Sequence, residues 1–168
     1  LAKQCRYNGH VGSRNMHSQG EGFYSVAQHS VRMSEAALLA YGDVMLAYAC
    51  LHHDDGEFFS GDLIRPLKRL LKNSGDGVIE RVEGGIDEAI FIYFDIPLIL
   101  LPIVKKIDYN IAQDEMTFLL KHQEVLFDYW LPSKAYELFV AQHEKLMILM
   151  EYNKKDIVKK DSNGKYES

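Results

Sequence analysis

The chain has 168 residues and a formal net charge of −5, and it is 47% hydrophobic and 26% charged. These values fit one globular domain with a proper core, and the negative charge argues against a protein that binds nucleic acid polymers through its overall electrostatics. The longest apolar run, IPLILLPIV, is interrupted by proline and falls short of the ~20 residues of a membrane span. With only two cysteines and no hydrophobic secretory core at the start, we expect a cytoplasmic protein with reduced thiols.

Helical patterns begin after a polar, glycine-rich arm at residues 1–22, which we predict to be irregular. The first predicted helix runs from an N-cap at Ser25 to Tyr41, and Gly42 ends it. Asp43 caps a second helix that carries apolar residues as far as the HHDD cluster. The first half of the chain is therefore predicted to be a helical pair.

Four further helices are predicted beyond that cluster. They are LIRPLKRLLKN, VIERVEGGIDEAIFIYF, the segment from about Ile103 to His122, and Ser133 to Tyr152, with a charged, solvated tail at 154–168. Convincing strand alternation, repeats and linkers are lacking. The sequence predicts one all-α domain over residues 1–168, a compact bundle of about six helices.

Metal-binding side chains recur on these predicted helices. His29 lies on the first helix, the pair His53-Asp54 ends the second, and Asp108 lies on a later one. Two histidines and two carboxylates form a nitrogen and oxygen set suited to one divalent transition metal, namely Mn, Co, Ni, Fe or Zn. Adjacent His52 is expected to be a structural histidine.

The order of these residues, H…HD…D, resembles the ligand pattern of the HD-domain metal-dependent phosphohydrolases. The residues after the doublet resemble the small deoxynucleotidase and dNTP phosphohydrolase branch, which includes phage-encoded dATP triphosphohydrolases. In that branch a glutamate, a GDL segment, a proline and a lysine follow the doublet. The matching residues here are Glu57, Gly61-Asp62-Leu63, Pro66 and Lys68. Upstream, YSVAQHS is similar to the branch's N-V-[AS]-E-H-S, and Arg6-Tyr7 to its Arg-Trp pair.

This resemblance implies a role for each matching residue around the four metal ligands. Glu57 and Asp62 are the candidate catalytic residues, and Asp62 is also a candidate partner of the sugar 3′-hydroxyl. Arg6, Tyr7 and Lys68 are expected to bind substrate. One helical stripe holds Asp108 together with Lys105, Ala112 and Glu115. On this stripe Lys105 is expected to bind phosphate, and Glu115 is expected to support the site.

The implied activity is hydrolysis of deoxynucleoside 5′-phosphates. A dNTP triphosphohydrolase that releases deoxynucleoside and triphosphate is favoured by the cationic residues, and a dNMP 5′-nucleotidase is the alternative. Hydrolysis of cyclic or signalling nucleotides by the same fold is a further alternative. A non-catalytic nucleotide-binding or sensor module is the candidate from another class, although the intact ligand set argues against it. We expect a homo-oligomer in the cytoplasm (the host cytoplasm for a phage-encoded protein), with a deoxynucleotide as partner rather than nucleic acid or membrane.

Overall fold

A computed structural model describes residues 1–6, 24–61, 63, 65–75, 77–120 and 129–163. Within these ranges it contains seven α-helices, of which α3 is a single turn, so the predicted all-α fold of about six helices is confirmed. The helices are α1 (Val26–Tyr41), α2 (Val44–His52), α3 (Glu57–Ser60), α4 (Arg65–Ser74), α5 (Val78–Tyr93), α6 (Leu101–Leu120) and α7 (Pro132–Asn163). A short 3₁₀-helix, Leu98–Leu100, separates α5 from α6.

The ends of α1 and α2 lie where the capping residues predict them. The side chain of Ser25 accepts a hydrogen bond from the backbone N–H of Gln28 at 3.0 Å, and Asp43 accepts one from Leu46 at 3.0 Å. Each bond satisfies one of the N–H groups that a helix start leaves without a partner. Gly42 ends α1 at a φ of 64°, in the left-handed region that glycine adopts without strain.

Helix α2 lies at the centre of the fold. Every residue from Leu46 to His52 is buried, and α1, α5, α6 and α7 all contact this helix. A helix that is covered on all sides must be apolar on all sides, which explains the sequence LAYACLH at these positions. Because His53 and Asp54 follow directly, the central helix places them in the interior of the domain.

The first residues of the chain pair with the start of α1. An isolated antiparallel bridge joins Cys5 to Ser25, and the N–H of Arg6 donates to the carbonyl of Tyr24 at 2.8 Å. This pairing places the Arg6 side chain beside α1. The rest of the predicted arm, from residue 7 onward, lies outside the described residues.

The later helices differ from the prediction at their ends. Helix α6 begins at Leu101, with Pro102 in the first turn, where its missing N–H costs nothing. Helix α7 continues to Asn163 instead of ending at Tyr152, so the first part of the predicted tail at 154–168 is helical. The sequence supplies the reason, since neither glycine nor proline occurs between Ser133 and Asn163.

Two further expectations concern a membrane span and the state of the two cysteines. Across the described residues, every helix is too short or too polar to cross a membrane. Cys5 and Cys50 are not joined by a disulfide, and burial raises the pKa of the Cys50 thiol to about 12.

Candidate metal centre

Three helical segments bring His29, His53 and Asp108 to one point. One possible ligand atom from each of these residues lies within 4.8 Å of the other two, an arrangement that can hold a metal ion. The Nε2 atom of His29 is 3.2 Å from Oδ1 of Asp108, and Nε2 of His53 is 3.9 Å from the same oxygen. The predicted nitrogen and oxygen donors therefore converge, although they are up to 79 residues apart in sequence.

Both histidine rings are held by their Nδ1 atoms, which leaves Nε2 pointing at the shared position. Nδ1 of His29 lies 2.7 Å from Oε1 of Glu115, and Nδ1 of His53 lies 2.8 Å from the carbonyl oxygen of Cys50. Metal-binding histidines have this pattern, because the hydrogen bond at one nitrogen fixes the tautomer and the orientation of the other.

The two Nε2 atoms are buried and make no hydrogen bond of normal geometry within the described part of the chain. Buried polar atoms without such a bond are rare because each costs free energy. Here two of them, from His29 and His53, face the same carboxylates. A bound cation would satisfy both nitrogens at once, so the donor set fits a metal.

Asp54 supplies a fourth possible donor next to these three. Its Oδ1 is 3.1 Å from Nε2 of His53, and its Oδ2 is 3.8 Å from Nε2 of His29. Two nitrogens and two carboxylates are ligands that Mn, Fe, Co, Ni and Zn accept. The structure thus places all four residues predicted as ligands around one position.

The carboxylates of the cluster stay ionised. Burial raises the pKa of Asp54 and Asp108, but the His29 and His53 rings lower it more, so that both pKa values lie below their usual range. For His53, burial lowers the pKa, while Asp54 and Asp108 raise it to well above the usual value. The cluster therefore favours positive charge at its centre.

Glu115 organises the cluster from behind, as the sequence predicted. It is buried, and its Oε1 accepts hydrogen bonds from the Tyr24 hydroxyl and from Nδ1–H of His29. Its Oε2 accepts a bond from Nε of Arg6 at 3.2 Å. Burial raises the pKa of Glu115, but His29 and Arg6 outweigh it and lower the pKa to about 2. A permanently charged acceptor thus holds the His29 ring.

Arg6 contacts the acids of the cluster rather than the open cavity that a phosphate would enter. It is 6% exposed and donates to Asp54 Oδ2 and Asp108 Oδ1, each at 3.0 Å, in addition to Glu115. A buried guanidinium that bonds three carboxylates balances their charge and fixes their positions. The geometry therefore gives Arg6 a positioning role toward these acids, and its expected contact with substrate stays a prediction.

A cavity of about 370 Å³ opens beside the candidate ligands, between the end of α2 and helices α3 to α6. Glu57, Lys68 and Lys105 line it together with His53 and Asp108. The predicted catalytic glutamate and both predicted lysines therefore share one cavity with the donor set.

Two predicted site residues, Tyr7 and Asp62, lie outside the described residues. Their predicted roles in substrate binding and catalysis stay predictions. Helix α3, which begins at Glu57, ends at Ser60 directly before the GDL segment.

Both lysines of the cavity pair with acids on α5. Nζ of Lys68 is 3.0 Å from Oε1 of Glu83, and Nζ of Lys105 is 3.0 Å from Oδ2 of Asp87. These acids were missed by the sequence reasoning because 15 and 18 residues separate the pairs and no motif marks them. Glu80 also lines the cavity, so among the described residues the acids of the lining outnumber its lysines.

His52 is a buried core histidine with hydrogen-bond partners at both ring nitrogens, as expected. One of these partners, His143, was not predicted from the sequence. His52 is 2% exposed, and its ring stacks on Phe94 with centroids 3.9 Å apart. Its Nδ1 lies 2.7 Å from Oδ2 of Asp55, and its Nε2 lies 3.0 Å from Nδ1 of His143 on α7. This network ties the end of α2, just before the candidate ligands, to the last helix.

Comparisons with known proteins identify a relative but no function. No family model matches the chain. The chain is 32% identical over 108 residues to the uncharacterized protein YfdR of Escherichia coli (strain K12). The match covers 64% of this chain and 50% of YfdR, so the chain spans about half the length of this curated relative. The assignment of a function thus rests on the geometry of the metal centre.

Proposed function

We propose that the protein is an HD-type metal-dependent phosphohydrolase that acts on deoxynucleoside 5′-phosphates. The observation that carries the proposal is the convergence of two buried imidazole nitrogens on two ionised carboxylates, beside a cavity whose lining includes Glu57 and two lysines. His29, His53, Asp54 and Asp108 are the proposed ligands of one divalent transition metal.

A metal held there lowers the pKa of bound water and neutralises negative charge on a phosphoryl group. The chain supplies the remaining groups. Glu57, one turn beyond Asp54, lines the same cavity and can take or give a proton at the reacting oxygens. Lys68 and Lys105 are the cationic side chains of the cavity and the proposed phosphate contacts.

The apolar part of the cavity suits the rest of a nucleotide. Phe91, Leu101 and Val104 line it together with the polar groups. Apolar walls can cover a sugar and exclude water, while a few polar groups fix the orientation of the ligand. A cavity with both charged and apolar walls supports a substrate that has one anionic end and a less polar body.

The charges of the cavity bear on the number of phosphates in the substrate. The sequence alone favoured a triphosphate because it offered several cations. In the structure, Glu83 and Asp87 pair with the two lysines, and Glu80 lies in the same cavity. A triphosphate chain would bring more negative charge against these acids. This observation favours the dNMP 5′-nucleotidase, the alternative to the triphosphohydrolase, which we propose as the second candidate.

Product analysis separates these candidates. Metal-stripped protein is incubated with dAMP or dATP and with Mn²⁺, Co²⁺ or Zn²⁺, and the products are identified by chromatography. Deoxyadenosine plus phosphate from dAMP supports the nucleotidase, whereas deoxyadenosine plus triphosphate from dATP supports the triphosphohydrolase. His53→Ala and Glu57→Gln should each abolish the activity, and Glu144→Gln, at an exposed position on α7, is the matched control.

The non-catalytic alternative makes a different prediction for the same samples. A nucleotide sensor binds dAMP or dATP in the presence of metal, but it releases no product with any of the four bases. Metal-restored turnover that disappears in Glu57→Gln excludes it. Binding without turnover would replace the enzyme proposal by the sensor.

A further inference from the structure

Helix α5 buries far fewer of its residues than α1, a helix of equal length. Of its 16 residues only Phe91 is buried, whereas α1, also of 16 residues, buries nine. Its sequence, VIERVEGGIDEAIFIY, is nevertheless rich in β-branched and aromatic residues. A helix in water gains most of its stability by burying its apolar face, so α5 lacks a covering layer within the described chain.

The exposed apolar positions of α5 form one continuous face. Val78 and Val82 are each 53% exposed, Ile92 is 68% exposed, and Gly85 and Ala89 lie between them and are also exposed. Their spacings of four, three, four and three residues place all five on one side of a helix. This alternation is the spacing of a helix–helix seam. We call this set the α5 outer face.

Gly85 at the middle of this face is unexplained by packing within the chain. A Cβ atom built there meets no atom within 4 Å, so no intramolecular contact requires glycine. Glycine inside a helix costs roughly 1 kcal/mol relative to alanine. A close approach of another helix at Gly85 would give that residue a purpose, because small side chains allow two helices to come near each other.

Charges beside the face select the partner and its direction. Arg81 and Glu88 are both exposed, lie two turns apart on the same flank, and are equally distant from the Gly84–Gly85 midpoint. In a parallel two-fold pair this flank would lie on opposite sides of the seam in the two copies, so Arg81 and Glu88 would not meet across it. In an antiparallel pair centred on the glycines, each Arg81 faces a Glu88 of the other copy.

We propose that the α5 outer face binds the α5 outer face of a second copy of this chain, antiparallel and with two-fold symmetry. Val78 and Val82 of one copy then lie against the region of Ile92 and Ala89 of the other. The apolar surface continues onto Tyr93, which is 82% exposed, and toward Phe58 and Phe59 of α3. This extension matters because a stable interface needs about 800 Å² from each partner, more than a single helix face supplies.

The pairing would leave both metal centres accessible. The residues of α5 that line the cavity, including Glu80, Glu83 and Asp87, lie on the side of the helix opposite to Gly85. The proposed dimer therefore presents its two cavities outward. Its existence does not depend on the proposed hydrolase activity, since none of the interface residues is a proposed ligand or catalytic group.

Charge reversal with sedimentation equilibrium over a concentration series tests the proposal. The wild-type chain should dimerise, and Arg81→Glu or Glu88→Arg should each weaken the dimer about tenfold, because two symmetry-related pairs become repulsive. The double variant R81E/E88R should return to within about twofold of the wild type, since the charges are complementary again. A monomeric wild type, or single variants that associate as strongly as the wild type, would overturn the proposal.

Cross-linking locates the axis independently of charge. In a Cys5→Ser background, Gly85→Cys should give a disulfide-linked dimer under mild oxidation, because the two introduced thiols face each other across the axis. Glu80→Cys, on the cavity side of the same helix, is the matched control and should stay monomeric on a non-reducing gel. Equal cross-linking of both variants would contradict the proposed face.

Discussion

The support of His29 by Glu115 yields the sharpest mutational prediction. Glu115→Gln keeps the shape of the side chain but removes its charge. In the structure the Glu115 carboxylate accepts hydrogen bonds from Nδ1 of His29 at 2.7 Å and from Nε of Arg6 at 3.2 Å. The neutral amide is a weaker acceptor, and through its NH₂ group it can favour the wrong tautomer of His29. We therefore expect weaker metal binding without loss of any ligand.

The expected size follows from the geometry. Loss of an outer partner of a metal-binding histidine typically weakens metal affinity by about 10–100-fold, which is about 1.4–2.8 kcal/mol. The upper half of that range is expected, because the bond to His29 is short, buried and made by a full charge. Asp114→Asn is the matched control, since it removes one charge from the neighbouring, exposed position on α6.

Isothermal titration of metal-stripped protein with Mn²⁺ or Zn²⁺ measures this effect. The Glu115→Gln variant should bind one equivalent with a Kd raised by the stated factor, and Asp114→Asn should match the wild type within about twofold. Thermal unfolding in the absence of metal shows whether the variants are folded. A folded Glu115→Gln protein with wild-type affinity would refute the reasoning that Glu115 positions His29.

Three further predictions use other parts of the structure. Lys105→Ala should raise KM for the phosphate substrate more than it lowers kcat, whereas exposed Lys106→Ala should leave both steady-state constants unchanged. His143→Ala removes a bond to buried His52 and should lower the free energy of unfolding in urea by about 1–3 kcal/mol. The pKa of Glu115 is about 2, below its ordinary value of 4.5, so its ionised form stabilises the fold above pH 4.5 and this contribution is lost as pH falls through 2. Over that interval Tm should fall more steeply in the wild type than in Glu115→Gln, and parallel curves would contradict the assignment.

Local sequence signals predicted the helices well because they act within a few residues. The caps at Ser25 and Asp43 and the glycine end at Gly42 form with partners three or four positions away. The end of α7 was missed, since the charged segment after Tyr152 contains no helix-breaking residue before Gly164. Charge alone suggested a solvated tail outside the helix, and helix propensity prevailed over that interpretation.

The candidate site was predictable only where a pattern of residue types marked it. His29, His53 and Asp108 could be named because their order resembles a known ligand pattern, and the structure brings them together. The bonds of Arg6 to the acids of the cluster could not be predicted, since its partners lie 48 to 109 residues away. The acid partners of the cavity lysines were missed for the same reason, and they change the charge of the cavity.

The most direct test of the account is the binding of Co²⁺ to metal-stripped protein, followed by visible absorption and by the stoichiometry of the titration. The account predicts one Co²⁺ per chain and an absorption spectrum typical of mixed nitrogen and oxygen ligands. Binding should be lost in His53→Ala and in Asp108→Ala, while exposed Asp114→Ala binds like the wild type. A wild-type protein that is folded but binds no Co²⁺, or binds it equally well in both ligand variants, would contradict the metal centre.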